Sequence, residues 1–188
     1  PITIKGKGTD QTGASLGSGI ILTTPAHMNK IIELDPKSGI VTVESGAIVG
    51  KLQQTLYTHG RFLPSVSSSA EYSTIGGAVA NNDAGSSSYK YGPIREYVQG
   101  LRVVLANGEL IRTGRLSKRE FNKKLGLASF EGEIYRSLDK LIEESSDSMN
   151  QISALGERSN VGYDIADVKS KDGSFDLTPI FVGSQGTL

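Results

Sequence analysis

Apolar, β-branched residues bunch into short runs along the first half of the chain. "PITIK" and "GIILTT" flank a stretch of small polar residues, and "KIIELD" and "GIVTVESG" follow, separated by "PKSG". Pro36 and Gly39 suit a turn, so the second pair predicts a β-hairpin. The period then changes. Ile48, Leu52 and Leu56 recur at helical spacing and Gly60 follows as a stop, which predicts a helix over residues 48–59. "STIGGAVANNDAGSSSYKYG" holds too much Gly, Ser and Asn for regular structure throughout, although "TIGGAVAN" suits the start of a short helix. "YVQGLRVVLANGELIRTG" predicts two strands joined at "ANGE", where Asn-Gly is a strong hairpin signal. Ser117 and Glu120 then form a capping-box pattern ahead of a short charged helix. "EGEIYRSLDKLIEESSDSM" puts Ile134, Leu138, Leu141 and Ile142 on one face of an amphipathic helix. "KSKDGSFDLT" reads as a turn leading into a last strand, "PIFVG". Strand pairs interspersed with helices give an α+β or mixed α/β architecture.

Composition narrows the function classes. A chain of 188 residues is the size of one ordinary domain and long enough to bury a real core. Lys+Arg and Asp+Glu are equal at 20 each, so no global positive field exists to hold nucleic acid or an anionic membrane. The absence of cysteine removes a disulfide framework, a thiolate metal site and a cysteine nucleophile, and fits a reducing, cytoplasmic compartment. No apolar run approaches the ~18 residues of a membrane span, so no integral membrane segment is expected. A start at Pro1 and a stop inside "VGSQGTL" read as a fragment of something longer.

The candidate chemistry lies in the glycines. Gly6, Gly8, Gly13 and Gly17 stand between the first two β runs. Such loops serve as tight turns or bring backbone N–H groups close to an anion. A dinucleotide fingerprint fails because Gln11 occupies the third glycine's place, and a P-loop fails because Ala14 stands where lysine is needed. Thr9, Gln11, Thr12 and Ser15 still offer side-chain donors. Each hydrogen bond to a charged oxygen contributes roughly 1.5–3 kcal/mol, so several would hold a diphosphate through neutral dipoles. Two more small-residue segments, "LPSVSSSAEYSTIGGAVANNDAGSSSYKYG" and "VGSQGTL", also adjoin predicted strands. Together the three suggest one long ligand lying across several strand ends. Other residues carry less. His27 and His59 read as structural, with no second ligand near in sequence to make a metal site. Ser184 is not a nucleophile elbow, because Val182 replaces the first glycine. Lys118, Arg119, Lys123 and Lys124 read as a solvated helix face.

In this order and spacing the segments resemble a known family. "KGKGTDQTG" is similar to the pyrophosphate loop, "TIGGAVANNDAG" to the flavin-embracing segment and "GSQGTL" to the closing signature of FAD-linked oxidases of the vanillyl-alcohol oxidase and p-cresol methylhydroxylase superfamily. The nearest branch is that of D-lactate dehydrogenase and the glycolate oxidase D-subunit. The resemblance extends over nearly the whole chain except residues about 115–155. It implies an α+β FAD-binding domain of the p-cresol methylhydroxylase type, made of two α+β subdomains with FAD between them. One holds a small mixed or parallel sheet and the other a larger, mainly antiparallel sheet, with helices packed on both. Here residues 1–188 would form that single domain, about 1–50 in the first subdomain and about 51–188 in the second, with the C-terminal substrate domain absent.

The resemblance also assigns residues. Gly6, Lys7, Gly8, Thr9, Asp10, Gln11, Thr12 and Gly13 would wrap the FAD diphosphate. Pro64, Ser65, Thr74, Gly76, Gly77, Asn81 and Gly85 would line the ribityl and flavin region, while Gly183, Ser184, Gly186 and Thr187 would close on the cofactor. Tyr89 and Tyr91 lie near enough in sequence to stack on the flavin, with packing the plainer reading. Departures from the family are Asp10, Ala14 and Ala84 in place of glycine and Gln185 in place of glutamate. Asp10 matters most, since a carboxylate beside a diphosphate is repulsive unless it points away or accepts a local hydrogen bond. Residues 5–15 contain no histidine, which implies non-covalent FAD. The implied activity is oxidation of a small 2-hydroxy acid, D-lactate or glycolate in kind, by hydride transfer to flavin N5. Electrons would then pass to oxygen, a quinone or another acceptor. Catalytic residues are unassigned and no metal is called for; the fragment alone is expected to bind FAD at best and not to turn over. The alternatives are a reductase of the UDP-N-acetylenolpyruvoylglucosamine type and a non-catalytic domain of the same fold that has lost its flavin.

Overall fold

The first two β runs pair in parallel. β1 (Ile2–Lys5) lies beside β2 (Ile20–Thr23), with Ile2 opposite Ile20 and Lys5 opposite Thr23. A parallel pair needs a long connection to carry the chain back to its starting end, and here that connection is the glycine loop itself. This computed structural model describes residues 1–154 and 162–188. Packing divides it into two units, residues 1–97 with 183–188, and residues 98–182. That partition by packing is a different division from the subdomain boundary expected near residue 50.

In the first unit, β3 (Ile31–Asp35) and β4 (Ile40–Val43) form the antiparallel hairpin that "PKSG" predicts. Its turn is tied by Asp35, whose carboxylate accepts hydrogen bonds from Lys37 N at 2.9 Å and Ser38 Oγ at 2.6 Å. Gly39 takes the left-handed conformation, φ +74°. α1 (Val49–Thr58) follows, burying Val49, Leu52 and Leu56 and ending at Gly60, φ +67°. Two short helices, α2 (Ile75–Ala80) and α3 (Ser88–Tyr91), interrupt the small-residue segment. The core joins Ala47 and the α1 residues to Ala78, Val79 and Ile94. Fully burying one Leu or Val contributes about 1.5–3 kcal/mol, so α1 is the main anchor of this unit.

The second unit opens with the hairpin of β5 (Arg102–Val104) and β6 (Leu110–Arg112). Gly108 N bonds Leu105 O at 2.9 Å, Leu105 N bonds Glu109 O at 2.8 Å, and Gly108 has φ +86°. This is the three-residue loop with a bulge at glycine, not a two-residue turn. α4 (Lys118–Leu125) starts with both halves of the Ser117/Glu120 capping box in place. α5 (Phe130–Glu144) and α6 (Ser146–Ala154) follow, and α7 (Thr178–Phe181) closes the unit. Phe121 stacks on Phe175 with ring centroids 4.2 Å apart, and Tyr135 packs against both. Ile111, Ile142, Val168 and Leu177 complete that core.

Several expectations need correction. "PIFVG" is not a strand, since Thr178–Phe181 is a helical turn. Pro179 presets the helical φ and lacks the N–H that a first turn leaves unpaired, while Asp176 Oδ1 accepts from Thr178 N at 2.7 Å and caps the turn. The α5 face is centred on Tyr135, fully buried, and Ile142; Leu141 is 43% exposed and lies off it. In place of one larger antiparallel sheet, the described residues hold two separate antiparallel pairs in addition to the parallel pair. The Gly, Ser and Asn of residues 64–92 disfavour strand and go into turns and short helices, supplying no further partners.

Candidate functional site

The first two small-residue segments and Gly183–Leu188 of the third fall in the first unit. Gly8 and Gly13, with φ +73° and +87°, bend the first loop where a side chain would be strained. A Cβ on Gly13 would meet nothing within 4 Å, so open space faces the loop there. Lys7, Gly8, Thr9, Gln11 and Thr12 are exposed. Asp10 turns inward on its own loop, accepting hydrogen bonds from Thr12 N at 3.1 Å, Thr12 Oγ1 at 2.9 Å and Ala14 N at 3.0 Å. Slight burial pushes its carboxyl up, but those hydrogen bonds outweigh it and hold the group below the usual range. The carboxylate that threatened to repel a diphosphate is thus held within the loop.

The second segment meets the first through Thr74. A Cβ at Gly6 would collide with Thr74 Oγ1, so only glycine allows this approach. Thr74 caps α2 by accepting from Gly77 N at 3.2 Å. Ile75 N and Gly76 N bond the carbonyls of Ala47 and Ser45, and Gly76 needs its missing side chain to pass Ser45. The N–H groups of Gly76 and Gly77 are therefore taken up by the fold, and what these residues offer a ligand is their lack of a side chain. Ser65, 1% exposed, donates to Asp83 O at 2.9 Å. Gly85 N bonds Ser88 Oγ at 2.7 Å, and a Cβ there would collide with the Val66 carbonyl. Pro64 is partly buried and Asn81 caps the end of α2.

The third segment docks on α2. Gly183 N and Gln185 N bond the carbonyls of Val79 and Ala80 at 3.0 and 2.9 Å, satisfying groups that a helix end leaves open. Gly183, Gln185 and Gly186 all take positive φ, and Thr187 folds back on Ser184 O through its N and Oγ1. Gly186 lies against Ala14 of the first loop, where an added Cβ would sit 3.1 Å from the Ala14 Cβ. First loop, α2 and tail form one contiguous surface.

Some features escaped the sequence reading. Asn82 is buried, has φ +50°, and accepts from Arg95 N through its side-chain oxygen. Asp83 is half-buried; burial raises its carboxyl above the usual range, partly offset by the Ser67 hydroxyl. The run Asn81-Asn82-Asp83 held the signal, since Asn tolerates the left-handed region. A cleft of about 180 Å³ is lined by Lys7, Pro25, Asn29, Gly46, Ile48 and Lys51. Lys51 stands in the first turn of α1, which holds no acidic residue, so a cation occupies the positive end of the helix dipole. With Lys7 it makes the cleft complementary to an anion. Among the described residues no group of three His, Asp or Glu is arranged to hold a metal ion. No helix among them is long and apolar enough to cross a membrane.

Glycine loop, capped short helix and returning tail are the parts of a cofactor-binding module. The chain belongs to the FAD binding domain family, which matches residues 1–114. It is 34% identical over 188 residues to D-2-hydroxyglutarate dehydrogenase of Escherichia coli (strain K12), covering 99% of this chain and 18% of that protein. Glycolate oxidase subunit GlcD of Bacillus subtilis (strain 168) is 41% identical over 116 residues, 61% of this chain and 24% of its own length. The chain thus spans about a fifth of the length of the D-2-hydroxyglutarate dehydrogenases it matches. Among solved structures, carbohydrate oxidase from Microdochium nivale aligns with a TM-score of 0.53 and 27% identity over 59% of this chain and 24% of that one. These relatives bear out the FAD-linked oxidase resemblance, the α+β FAD-binding fold and FAD as the cofactor.

Proposed function

We propose that this chain is the FAD-binding part of a flavin-dependent oxidoreductase that oxidises a small 2-hydroxy acid. The observation that carries the reading is the meeting of the three glycine segments in one unit, Gly6 against Thr74 and Gly186 against Ala14. The residues fit the cofactor. In the Gly6–Gly13 loop the glycine-bent backbone ahead of Asp10 would take the diphosphate, with Lys7 and Lys51 lining the adjacent cleft to offset its charge. Pro64, Ser65, Thr74, Gly76, Gly77, Asn81 and Gly85 would form a floor with few projecting side chains for the ribityl and flavin. Gly183, Ser184, Gly186 and Thr187 would close it, with Gly186 and Thr187 exposed on a backbone that Gly183 and Gln185 fix to α2. When bound, FAD supplies the hydride acceptor, flavin N5, and the chain supplies position and electrostatics.

Similarity to D-2-hydroxyglutarate dehydrogenase, to glycolate oxidase subunit GlcD and to D-lactate dehydrogenase supports a 2-hydroxy acid as the substrate class. On this reading the groups that bind the acid and take its hydroxyl proton lie outside these residues, the FAD is non-covalent, the two subdomains divide near residue 50, and the protein works in the cytoplasm with a separate electron acceptor. The test is a visible absorption spectrum before and after adding FAD and removing the excess, followed by acid precipitation. Flavin bands that move to the supernatant on acidification are expected. Colour retained in the precipitate would overturn non-covalent binding, no FAD uptake would overturn the cofactor site, and hydroxy-acid oxidation by this chain alone would overturn the placement of the substrate groups.

A further inference from the structure

The first loop is built from two halves that differ in how their N–H groups are used. In the C-terminal half, Thr12 N and Ala14 N both point to the Asp10 carboxylate, with Thr12 Oγ1 as a third donor. These are the donors a phosphate oxygen would use, and an anion already sits on them. In the N-terminal half, Gly8 is left-handed and Lys7 to Thr9 are exposed beside the lysine-lined cleft. The chain therefore carries a built-in anion on one side of its loop and keeps the other side for an external one.

We infer that Asp10 is a positioning residue: its carboxylate stands in for a phosphate on the amides of Thr12 and Ala14, shaping the loop so that the residues before it can take the cofactor's diphosphate. This rests on the reading of the loop as the diphosphate site. Two effects of Asp10 then oppose each other. Its hydrogen bonds fix the loop and favour binding, whereas its charge repels the diphosphate through partly screened solvent. An amide in its place keeps an acceptor oxygen for the loop N–H groups and loses the charge; a methyl loses both.

The experiment titrates FAD into the wild-type protein, Asp10→Asn and Asp10→Ala, following quenching of flavin fluorescence at low and high salt, with amide hydrogen exchange of residues 11–15 in each protein without FAD. Asp10→Ala is expected to bind about tenfold more weakly, the equivalent of about one charge-assisted hydrogen bond, and to exchange the Thr12 and Ala14 amides faster. Asp10→Asn is expected to rescue binding to the wild-type level or a few-fold tighter, with the gain over wild type shrinking at high salt. Wild-type affinity in Asp10→Ala overturns the inference, as does Asp10→Asn binding as weakly as Asp10→Ala. Failure of the wild-type protein to take up FAD overturns the diphosphate reading and the binding role together, and amide exchange then reads the loop-shaping claim by itself. Unchanged exchange in Asp10→Ala overturns that claim.

Discussion

Asp83 carries a carboxyl that burial pushes upward, against a single relieving hydrogen bond from Ser67. A folded-state value raised above the unfolded one gives stability that is complete below the unfolded pKa, about 3.9, and is lost as pH rises through the folded value. Asp83→Asn cannot ionise and keeps an acceptor for Ser67. It should equal wild type in stability below about pH 4 and exceed it increasingly toward pH 7, in urea melts across that range; a gap that opens toward acid instead would reverse the sign. Two glycines make a second comparison. Alanine at Gly85 would drive its methyl into the Val66 carbonyl, a backbone atom that cannot rotate away, whereas at Gly13 it would face open space and bear only the left-handed strain. Gly85→Ala should cost about 2–3 kcal/mol and Gly13→Ala about 1 kcal/mol in urea unfolding. Equal costs would mean that the Val66 contact does not hold in solution.

Helix α5 is held by Tyr135, which is fully buried among Phe121 and Phe175, with a hydroxyl that lacks a hydrogen-bond partner among the described residues. Phenylalanine there keeps the ring packing and removes a desolvated polar atom. Tyr135→Phe should therefore match wild type or exceed it by up to about 1 kcal/mol, and a loss of stability would reveal a bound partner such as an ordered water. On α5 hydrophobicity alone favours Leu141 over Tyr135, while burial follows the rotation of the helix against Phe175. α1 was legible to within a residue or two, since spacing and the Gly60 stop agree. "PIFVG" was not, because a run of three apolar residues carries no period and Pro179 with Asp176 decided the matter. The candidate site was legible in the same uneven way. Its three segments stood out by composition. The parts played by Lys51, Asn82 and Asp83 depend on what they touch far along the chain, and Asp10 looked like an obstacle until its hydrogen bonds were in view.

For the whole molecule, the division into two units predicts where the cofactor acts. Every segment proposed to contact FAD lies in residues 1–97 and 183–188. Ligand at a hundredfold excess over its Kd stabilises the binding state by about 2.7 kcal/mol. Hydrogen exchange with and without FAD should show slowing concentrated in those residues, the tail at Gly183–Leu188 included, with residues 98–182 changed less. Uniform slowing across both units would mean that the cofactor stabilises them as one cooperative block.

The return of the tail to α2 also sets a schedule for synthesis. Residues 98–182 are threaded through the chain between two parts of the same unit. At roughly 5–20 residues per second, a ribosome needs about 4–17 s to make them. For that interval strands β1 to β4 and helices α1 to α3 exist without the residues that cover the Val79 and Ala80 carbonyls. The inserted unit closes its own core late as well, when Phe175 reaches Phe121 and Tyr135. The glycine-rich surface is begun before the insertion and completed after it, so a chain stalled within the insertion leaves it open at the α2 end.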